Sequence, residues 1–413
     1  MIDMIKDAMK KVPRLEFTSA IRSARICICN AISSLFPMNK EILLESHPDF
    51  TCNTYELFRY MISQGLNETF KITWLSDGNS VLEDVPPNVY FLNMYPKGFF
   101  RKFKFYVRRN RARIVIDSNR HIQKGKTGKK QLNIYLDHGS QLKDLLGKDG
   151  TKAKIECDYL MCQSEFFIPY NVAQYTVEES QIICTGLPRN DQLFRHYDSL
   201  RCIIPTCGEY KKIIIWVPTF RQHKNKIRID CMRDYPLGLP VLSTEADVLR
   251  VNDVLKDENV LLIVKPHPAQ DLSVIKSVDL SNIRYISNYD LSVYGIQMNE
   301  LLAQTDAMIT DYSSIYYDYL LLHRPIAITL DDFDDYAQDK GFVFEDPLAI
   351  LKGEYIYDLK DFCAFIINVS RGIDSAGVER EEICDLLHKY QDDNSSKRVL
   401  DFIMEEEKKR FGD

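Results

Sequence analysis

Short runs of β-branched and aromatic residues alternate with helical stretches through most of this chain, and this alternation constrains the fold more than any other feature. The sequence indicates strands at 42–45, 70–75 and 113–116, and several strands are followed by a helical stretch such as 55–64. A repeated strand–helix order is typical of a parallel sheet covered by helices on both faces. We therefore predict an α/β fold built from doubly wound sheets.

The alternation stops once, in a polar stretch at 197–211 that contains a proline and a glycine. It starts again with Lys212–Val217, whose continuous apolar character is typical of a strand buried on both faces. The length of 413 residues also suits two large domains. We predict two Rossmann-like domains that face each other across a cleft, preceded by a basic helical segment that can associate with a membrane: 1–40 for this segment, 41–205 for the first domain, and 206–413 for the second domain with its closing helices.

Charge is distributed unevenly along the chain. Residues 1–205 contain 29 Lys and Arg against 22 Asp and Glu, although the whole chain has a net charge of −6. A basic first half indicates an anionic partner, unless the charges only keep the surface soluble. The stretch Lys6–Arg25 and the Met and Ile residues near it fit an amphipathic helix on a membrane surface. Arg101–Arg113 interleaves Phe and Tyr with basic residues, which suits single-stranded nucleic acid, an anionic polymer, membrane head groups or a solvated helix face.

No segment of the sequence has the roughly 18 apolar residues that a membrane-spanning helix requires. The N-terminus also lacks the apolar core of a signal peptide. We therefore expect a cytosolic chain, or one bound to the inner surface of the membrane. The 11 cysteines and eight histidines show no zinc-site or HExxH spacing, so we expect mostly buried thiols in a reducing compartment and no bound metal.

The polar residues of greatest interest follow predicted strands, where the ligands of doubly wound sheets bind. In the segment 306–324, a strand is followed by a polar turn and then by an apolar helix. The turn contains Asp311, Ser313 and Ser314, and its hydroxyls suit a phosphate together with the N–H groups at the helix start. An ordinary helix N-cap has the same sequence pattern.

Two further strands of the second domain end in polar residues. Lys265 and His267 follow the predicted strand 260–264, and His267 stands between two prolines that restrict the backbone. A histidine held in this way can donate to a phosphate or protonate a leaving oxygen. Thr219 and Arg221 follow the strand that opens the domain, and the planar guanidinium of Arg221 also suits a phosphate. Either pair is also compatible with an ordinary solvated loop.

In the first domain, His138 follows the predicted strand 132–136. It precedes Gly139, which permits a sharp turn before a helix that we expect to begin near Ser140. A histidine at the edge of a cleft suits general-base catalysis on a hydroxyl group, and a structural bond to nearby backbone is the alternative. Asp137 is adjacent, but neighbours on a strand point to opposite faces, so the two side chains need not touch.

Other motifs fail on closer inspection. GKTGKK at 125–130 resembles a P-loop but lacks the four-residue spacer and the closing Ser or Thr. The chain contains neither a GxSxG nucleophile elbow nor a GxGxxG fingerprint that opens a strand–helix unit. The aspartates at 331–335 are explained better by a solvated helix start than by a metal site.

Taken together and in this order, the motifs resemble those of the CDP-glycerol glycerophosphotransferase family, the teichoic-acid primases and polymerases. The matching segments are LDHGSQLK at 136–143, TGLPRND at 185–191, VPTFR at 217–221, KPHP at 265–268, ITDYSSIYYDYLLLHRPI at 309–326 and GFVFED at 341–346. The resemblance extends over roughly residues 40–350 and implies a GT-B fold.

The resemblance implies transfer of a glycerol or ribitol phosphate from a CDP-activated donor to a hydroxyl of a lipid-linked or polymeric glycan, with release of CMP at the cytoplasmic membrane surface. The CDP-polyol would be a substrate, and we expect no cofactor, no metal and no nucleic acid to take part. His138 matches the catalytic histidine of the family, and His267 matches the histidine placed at the donor diphosphate. The residues implied in donor binding are Thr219, Arg221, Lys265, Asp311, Ser313 and Ser314.

Two alternatives share this pattern. A GT-B glycosyltransferase that uses a nucleotide-sugar would have the same cleft and phosphate turn, and a non-catalytic relative would bind an anionic polymer or a membrane. The chain also departs from the family pattern on the acceptor side. Asp137 stands where the family usually has an aromatic residue, and Ser140 and Gln141 stand where it usually has Thr-Pro.

Overall fold

The strands of this protein form two parallel sheets, as the sequence pattern predicts. The computed structural model describes residues 28, 31–78, 82, 84–119, 130–146, 150–219, 235–266 and 280–412. Within these residues one sheet has seven strands and the other has six. Every pairing between neighbouring strands is parallel.

The first sheet has the strand order β3-β2-β1-β4-β5-β6-β7. Its strands are β1 (Asn39–Glu45), β2 (Lys71–Ser76), β3 (Val89–Asn93), β4 (Ala112–Asp117), β5 (Leu132–Tyr135), β6 (Tyr159–Cys162) and β7 (Ile182–Cys184). Consecutive residues of β1, such as Leu43 and Leu44, are fully buried because both faces of the sheet are covered. The strand order reverses between β1 and β4, so the crevice at their carboxyl ends is the topological switch point.

The second sheet repeats this arrangement, with the order β10-β9-β8-β11-β12-β13. Its strands are β8 (Lys212–Val217), β9 (Val260–Val264), β10 (Ile283–Tyr285), β11 (Ala307–Thr310), β12 (Ile326–Thr329) and β13 (Glu354–Ile356). In both sheets the first strand in sequence lies in the interior and the chain winds outward on either side, which is the Rossmann order. The prediction of two doubly wound domains is confirmed.

Helices connect the strands and cover the sheets. They are α1 (Cys52–Ser63), α2 (Leu66–Thr69), α3 (Phe99–Arg111), α4 (Ile168–Gln174), α5 (Leu200–Ile203), α6 (Glu245–Asp257), α7 (Asn288–Val293), α8 (Met298–Ala303), α9 (Ile315–Leu320), α10 (Phe333–Asp339), α11 (Leu359–Arg371), α12 (Gly377–Leu387) and α13 (Ser395–Phe411). Short 3-10 helices lie at Glu165–Phe167, Glu179–Gln181, Pro188–Phe194, Cys207–Glu209 and Pro347–Ala349. Among the helices described, none combines the length and the apolar character needed to cross a membrane.

The last helix, α13, leaves the second domain and packs on the first sheet. Its apolar residues Val399, Leu400 and Ile403 are buried in the same core as residues of β1, β2 and β4. Arg113 on β4 forms an ion pair with Glu407 on this helix at 2.7 Å. The sequence predicts 206–413 as the second domain with its closing helices. The structure differs for this helix, since first-domain residues cover its apolar stripe.

Aromatic residues join the two domains near the middle of the molecule. The rings of Phe167, beside α4, and Tyr317, on α9, meet edge to face with centroids 5.3 Å apart. Tyr170 meets Phe344 of the second domain in the same way, at 4.7 Å. These residues belong to one core cluster that includes side chains from both sheets. The carboxyl end of the first sheet is therefore held against the second domain.

Candidate functional site

His138 lies just beyond the carboxyl end of β5, in a loop that contacts the second domain. Its side chain is 57% exposed. The prediction of a helix near Ser140 is wrong, because the described residues 140–144 are not helical. Lys143 instead forms an antiparallel bridge to Phe342. Pairing with a segment of the second domain thus satisfies backbone groups that a helix would have bonded internally.

Asp137 contacts the side chain of His138, which the sequence analysis did not anticipate. The φ angle of Asp137 is 55°, in the left-handed region, so the alternation of the strand has already ended at this residue. Its Oδ1 atom lies 3.2 Å from Nδ1 of His138 and accepts the backbone N–H of His138 at 2.7 Å. Its Oδ2 atom accepts hydrogen bonds from Nε2 of Gln141 at 2.8 Å and from the Tyr175 hydroxyl at 3.1 Å. Two of the residues that depart from the family pattern, Asp137 and Gln141, are therefore bonded to each other.

The Asp137 carboxyl group is buried and ionised. Only 4% of the residue is exposed. Burial alone would raise the pKa of Asp137, because a charge is disfavoured in a medium of low dielectric constant. The hydrogen bonds and the charge of His138, with the Tyr175 hydroxyl, outweigh burial and hold the pKa of Asp137 below its ordinary value. A negative charge therefore lies beside Nδ1 of His138 at neutral pH.

Arg189 connects the His138 loop to the second domain. One guanidinium nitrogen donates to the carbonyl oxygen of His138, and Nη2 lies 2.8 Å from Oδ2 of Asp318 on α9. The two side chains are 13% and 2% exposed. Although burial alone would lower it, the charge of Asp318 raises the pKa of Arg189 above its ordinary range. Gly139 permits this close approach, since its φ is +130° and a Cβ atom there would lie 2.6 Å from Nη2 of Arg189.

The polar turn at 311–314 lies on the second-domain side of this contact. Ser314 is the N-cap residue of α9, and Ser313 and Ser314 are both half-buried. Asp318 follows Ser314 by one helical turn, about 6 Å along the axis. Because Asp318 binds Arg189 and Arg189 binds the His138 carbonyl, the turn and the histidine loop lie at the same part of the domain interface.

Asp311 and Thr219, two of the predicted donor-binding residues, are bonded to each other. The fully buried Asp311 carboxylate accepts the backbone N–H of Thr219 at 2.9 Å and also its hydroxyl group. These bonds join the loop after β8 to the turn after β11, and the two strands are neighbours in the sheet. Asp311 therefore shapes the loop that leads toward residue 221.

Lys265 follows β9, the next strand of the same sheet. Only 6% of the residue is exposed, and its Nζ atom donates to the side-chain oxygen of Asn288 at the start of α7. Burial lowers the pKa of Lys265 to about 8, and the charge of Asp290 opposes this shift. The ammonium group is thus still mostly positive at neutral pH, at the carboxyl edge of the second sheet.

Arg221 and His267 lie outside the described residues, as do Lys6–Arg25 and nearly all of the 125–130 loop. Their predicted roles stay predictions. Within the part of the chain that the structure describes, no group of three or more His, Cys, Asp or Glu is arranged to hold a metal ion. Asp334 and Asp335 are exposed in the first turn of α10, which agrees with the interpretation of a solvated helix start. Asp332 differs, since it is only 2% exposed and accepts a hydrogen bond from the Tyr312 hydroxyl at 2.9 Å.

Arg189 and Asp318 are not among the site residues that the sequence predicts. One feature of the sequence could have pointed to Asp318. It is a lone carboxylate within the apolar helix sequence YYDYLLL at 316–322, and a buried charge requires a partner. The predicted site residues also omit Glu45 and Asp117. These two residues pair with each other at the carboxyl ends of β1 and β4. Both carboxyl groups are fully buried at the switch point of the first sheet.

Burial raises the pKa of Glu45 to about 7. A hydrogen bond with Asp117 opposes the rise, and the charge of Asp49 adds to it. Glu45 is therefore partly protonated near neutral pH, because ionising it in a buried crevice is unfavourable.

Known proteins similar to this chain identify its family and its fold. The model of a family described as CDP-glycerol:poly(glycerophosphate) glycerophosphotransferase matches residues 28–405. The teichoic acid glycerol-phosphate primase of Bacillus subtilis is 29% identical over 271 residues, which span 63% of this chain and 63% of that protein. The teichoic acid ribitol-phosphate primase of Bacillus spizizenii is 25% identical over 252 residues, which span 60% of this chain and 59% of that protein. The chain thus matches less than two thirds of the length of either relative.

A solved structure of the wall teichoic acid polymerase TagF has a similar fold. It superimposes with a TM-score of 0.67 at 19% identity, covering 96% of this chain and 97% of the polymerase chain. A putative UDP-N-acetylglucosamine 2-epimerase from Listeria monocytogenes has a TM-score of 0.52 at 12% identity, covering 89% of this chain and 96% of that chain. At these identities the likeness concerns the fold alone, and it confirms the predicted GT-B architecture.

The raised pKa of Glu45 predicts a pH-dependent gain in stability for Glu45→Gln. In the wild type, the folded state binds a proton at Glu45 more tightly than the unfolded state does, so stability is lost as the pH rises from about 4.5 to about 7. Gln cannot ionise, so the variant does not lose this stability. Its free energy of unfolding should exceed that of the wild type by up to about 3 kcal/mol at pH 8 and by little at pH 5. Urea unfolding of both proteins at the two pH values measures this, and an equal difference at both would contradict it.

Proposed function

The chain belongs to the CDP-glycerol:poly(glycerophosphate) glycerophosphotransferase family, and we propose that it transfers a polyol phosphate from a CDP-activated donor to a hydroxyl group of a lipid-linked or polymeric glycan, with release of CMP. The polyol is glycerol or ribitol, because the related primases are named for both. The observation that carries the proposal is that Arg189 and Asp318 connect the His138 loop to α9, the helix that follows the 311–314 turn.

The proposed step moves one proton and exchanges one bond at phosphorus. The acceptor oxygen attacks the β-phosphorus of the CDP-polyol, which carries the polyol, and a new P–O bond forms. The bond from this phosphorus to the oxygen of CMP breaks, and the electron pair leaves with CMP. His138 accepts the proton of the attacking hydroxyl, because a neutral alcohol is a weak nucleophile. General-base catalysis of this kind typically contributes about 10²–10⁴ in rate.

Groups on the second domain bind the donor diphosphate in this proposal. The Ser313 and Ser314 hydroxyls and the ammonium group of Lys265 lie at the carboxyl edge of the second sheet, where ligands of such sheets bind. His267 and Arg221 would add positive charge and hydrogen-bond donors as negative charge develops on the leaving CMP. Because these groups can neutralise the diphosphate, we propose that the reaction needs no metal ion and no cofactor.

The first test is a donor panel with the purified full chain. We expect CMP release from CDP-glycerol or CDP-ribitol in the presence of membranes that carry acceptor, and we expect full activity in EDTA without added Mg²⁺. UDP-sugars and CMP-sugars should give no turnover. Turnover of a sugar donor alone would favour a nucleotide-sugar glycosyltransferase, and binding of CDP-polyol without turnover would favour a non-catalytic relative. Loss of activity in EDTA that Mg²⁺ restores would contradict the metal-free step.

The second test concerns the base. We expect His138→Ala to lower CMP release by about 10²–10⁴-fold, since the attacking hydroxyl keeps its proton. CDP-glycerol should bind the variant as it binds the wild type, because the proposed donor contacts lie on the second domain. Calorimetric titration of the donor and a CMP-release assay measure the two quantities. Unchanged turnover would rule out His138 as the base.

We also propose that the protein works at the inner face of the cell membrane, where a lipid-linked acceptor is available. The start of α3 presents two exposed aromatic residues, Phe99 and Phe100, which are 69% and 84% exposed. Exposed Arg101, Lys102 and Lys104 follow directly. Aromatic residues next to lysine and arginine suit the interface of a membrane that contains anionic lipids.

The membrane surface is tested with the double variant Phe99→Glu and Phe100→Glu. It should bind vesicles of anionic phospholipid at least about tenfold more weakly, because burial of a phenylalanine contributes about 1.5–3 kcal/mol and each Glu is repelled. Val378→Glu, at an exposed position on α12, serves as the control and should bind like the wild type. Vesicle sedimentation measures the bound fraction, and equal binding of all three proteins would contradict the assignment.

A further inference from the structure

The contact between Asp137 and His138 has the arrangement of a carboxylate that orients a general base. Oδ1 of Asp137 is 3.2 Å from Nδ1 of the imidazole, while Nε2 is at the tip of the same ring. A carboxylate cannot donate a hydrogen bond, so Nδ1 must carry the proton for the two groups to attract each other. The neutral ring then has its lone pair on Nε2.

The carboxylate itself is fixed from several directions. The backbone N–H of His138 binds Oδ1, while Gln141 and the Tyr175 hydroxyl bind Oδ2. The Tyr135 hydroxyl lies 3.3 Å from Oδ1 and adds a further donor. Asp137 is almost fully buried, whereas the His138 side chain is more than half exposed. The carboxylate therefore has little freedom to turn toward a substrate, and its effect passes through the imidazole.

We propose that Asp137 is a positioning residue that holds His138 in the tautomer protonated on Nδ1 and so directs Nε2 toward the acceptor hydroxyl. This inference rests on the proposed function, in which His138 is the base. In this proposal Asp137 and His138 act as a pair that activates the acceptor hydroxyl. The backbone of the pair is held by Arg189, which binds the His138 carbonyl and Asp318 at once.

The proton balance of the step is then complete. The acceptor hydroxyl gives its proton to Nε2, and Nδ1 keeps its own proton in the bond to Asp137. The ring becomes an imidazolium next to an ionised carboxylate, which stabilises the new positive charge. Asp137 stays ionised throughout. After CMP leaves, the proton on Nε2 passes to solvent through the exposed side of the ring.

The wild-type protein provides the first measurement. Nitrogen NMR of the full chain labelled at histidine reports which ring nitrogen carries the proton, and His138→Gln identifies the signals of His138 by their loss. We expect protonated Nδ1 and unprotonated Nε2 in the neutral ring. Free histidine prefers the opposite tautomer, so a ring protonated on Nε2 would overturn the proposal. This measurement needs no variant at Asp137 and no catalytic activity.

The second measurement is the kinetics of Asp137→Asn, which keeps the shape of the side chain and removes its charge. We expect kcat to fall on the order of 10²–10⁴-fold, with KM for the CDP-polyol changed less than about threefold. The acidic limb of the pH–rate profile should move to lower pH, because the imidazolium loses its adjacent negative charge. The other charged or titratable groups facing this pair, namely Arg189, Asp318, Tyr135 and Tyr175, are unchanged in this variant.

Tyr175→Phe is the matched control. It removes one donor from Oδ2 of the same buried carboxylate but leaves the charge and the contact to Nδ1 in place. Its kcat should fall by less than about tenfold, in line with the loss of one hydrogen bond, and its acidic limb should not move. If both variants lose the same activity and neither profile moves, Asp137 is only structural and the proposal is wrong.

A failure of the role proposed for Asp137 can be distinguished from a failure of the proposed function. If the wild type releases no CMP from any CDP-polyol, the proposed function fails and the role in activating the acceptor falls with it, whereas the tautomer measured in the wild type still decides whether Asp137 orients the His138 ring. If Asp137→Asn does not fold, the same wild-type measurement decides it. If His138→Ala abolishes turnover but the ring is protonated on Nε2, the proposed function stands and this inference falls.

Discussion

The buried ion pair between Arg189 and Asp318 connects the two domains, together with the aromatic contact of Phe167 with Tyr317. Removing one partner of such a pair typically costs about 3–5 kcal/mol, because the other charge is left in a medium of low dielectric constant. Arg189 also holds the carbonyl group of His138. One side chain thus joins the domains and fixes the loop that carries the imidazole.

Most of the fold was predictable because doubly wound sheets leave a strong pattern in the sequence. Buried parallel strands are continuous apolar runs, and the bounds predicted for β8 and β9 agree with the structure. The three-residue strand β13 is too short for a periodic signal. The position of α13 was not predictable for another reason. Its apolar stripe can be read from the sequence, but which sheet covers that stripe depends on tertiary contacts.

The candidate site was predictable only in part, and the limits are physical. His138 and the 311–314 turn stand out because polar residues directly follow apolar strands. The contact of Asp137 with His138 depends on a left-handed backbone angle that strand alternation does not foresee. Arg189 and Asp318 are 129 residues apart, so no spacing rule connects them. The family resemblance identifies Asp311 and Thr219 as site residues but not their contacts. The structure adds that Asp311 accepts the backbone N–H of Thr219 and so holds the loop after β8.

The return of α13 to the first sheet means that the chain passes between the lobes twice, once before β8 and once before α13. Two domains joined by one chain segment can twist and slide against each other. Two connecting segments leave mainly a rotation of one domain about the line that passes through both connections. Because Ser395 and Ser396 at the start of α13 donate to Asp191, two residues from Arg189, the second connection is anchored near the ion pair. A rotation of one lobe against the other about this line would then open the space between them most at the rim farthest from it.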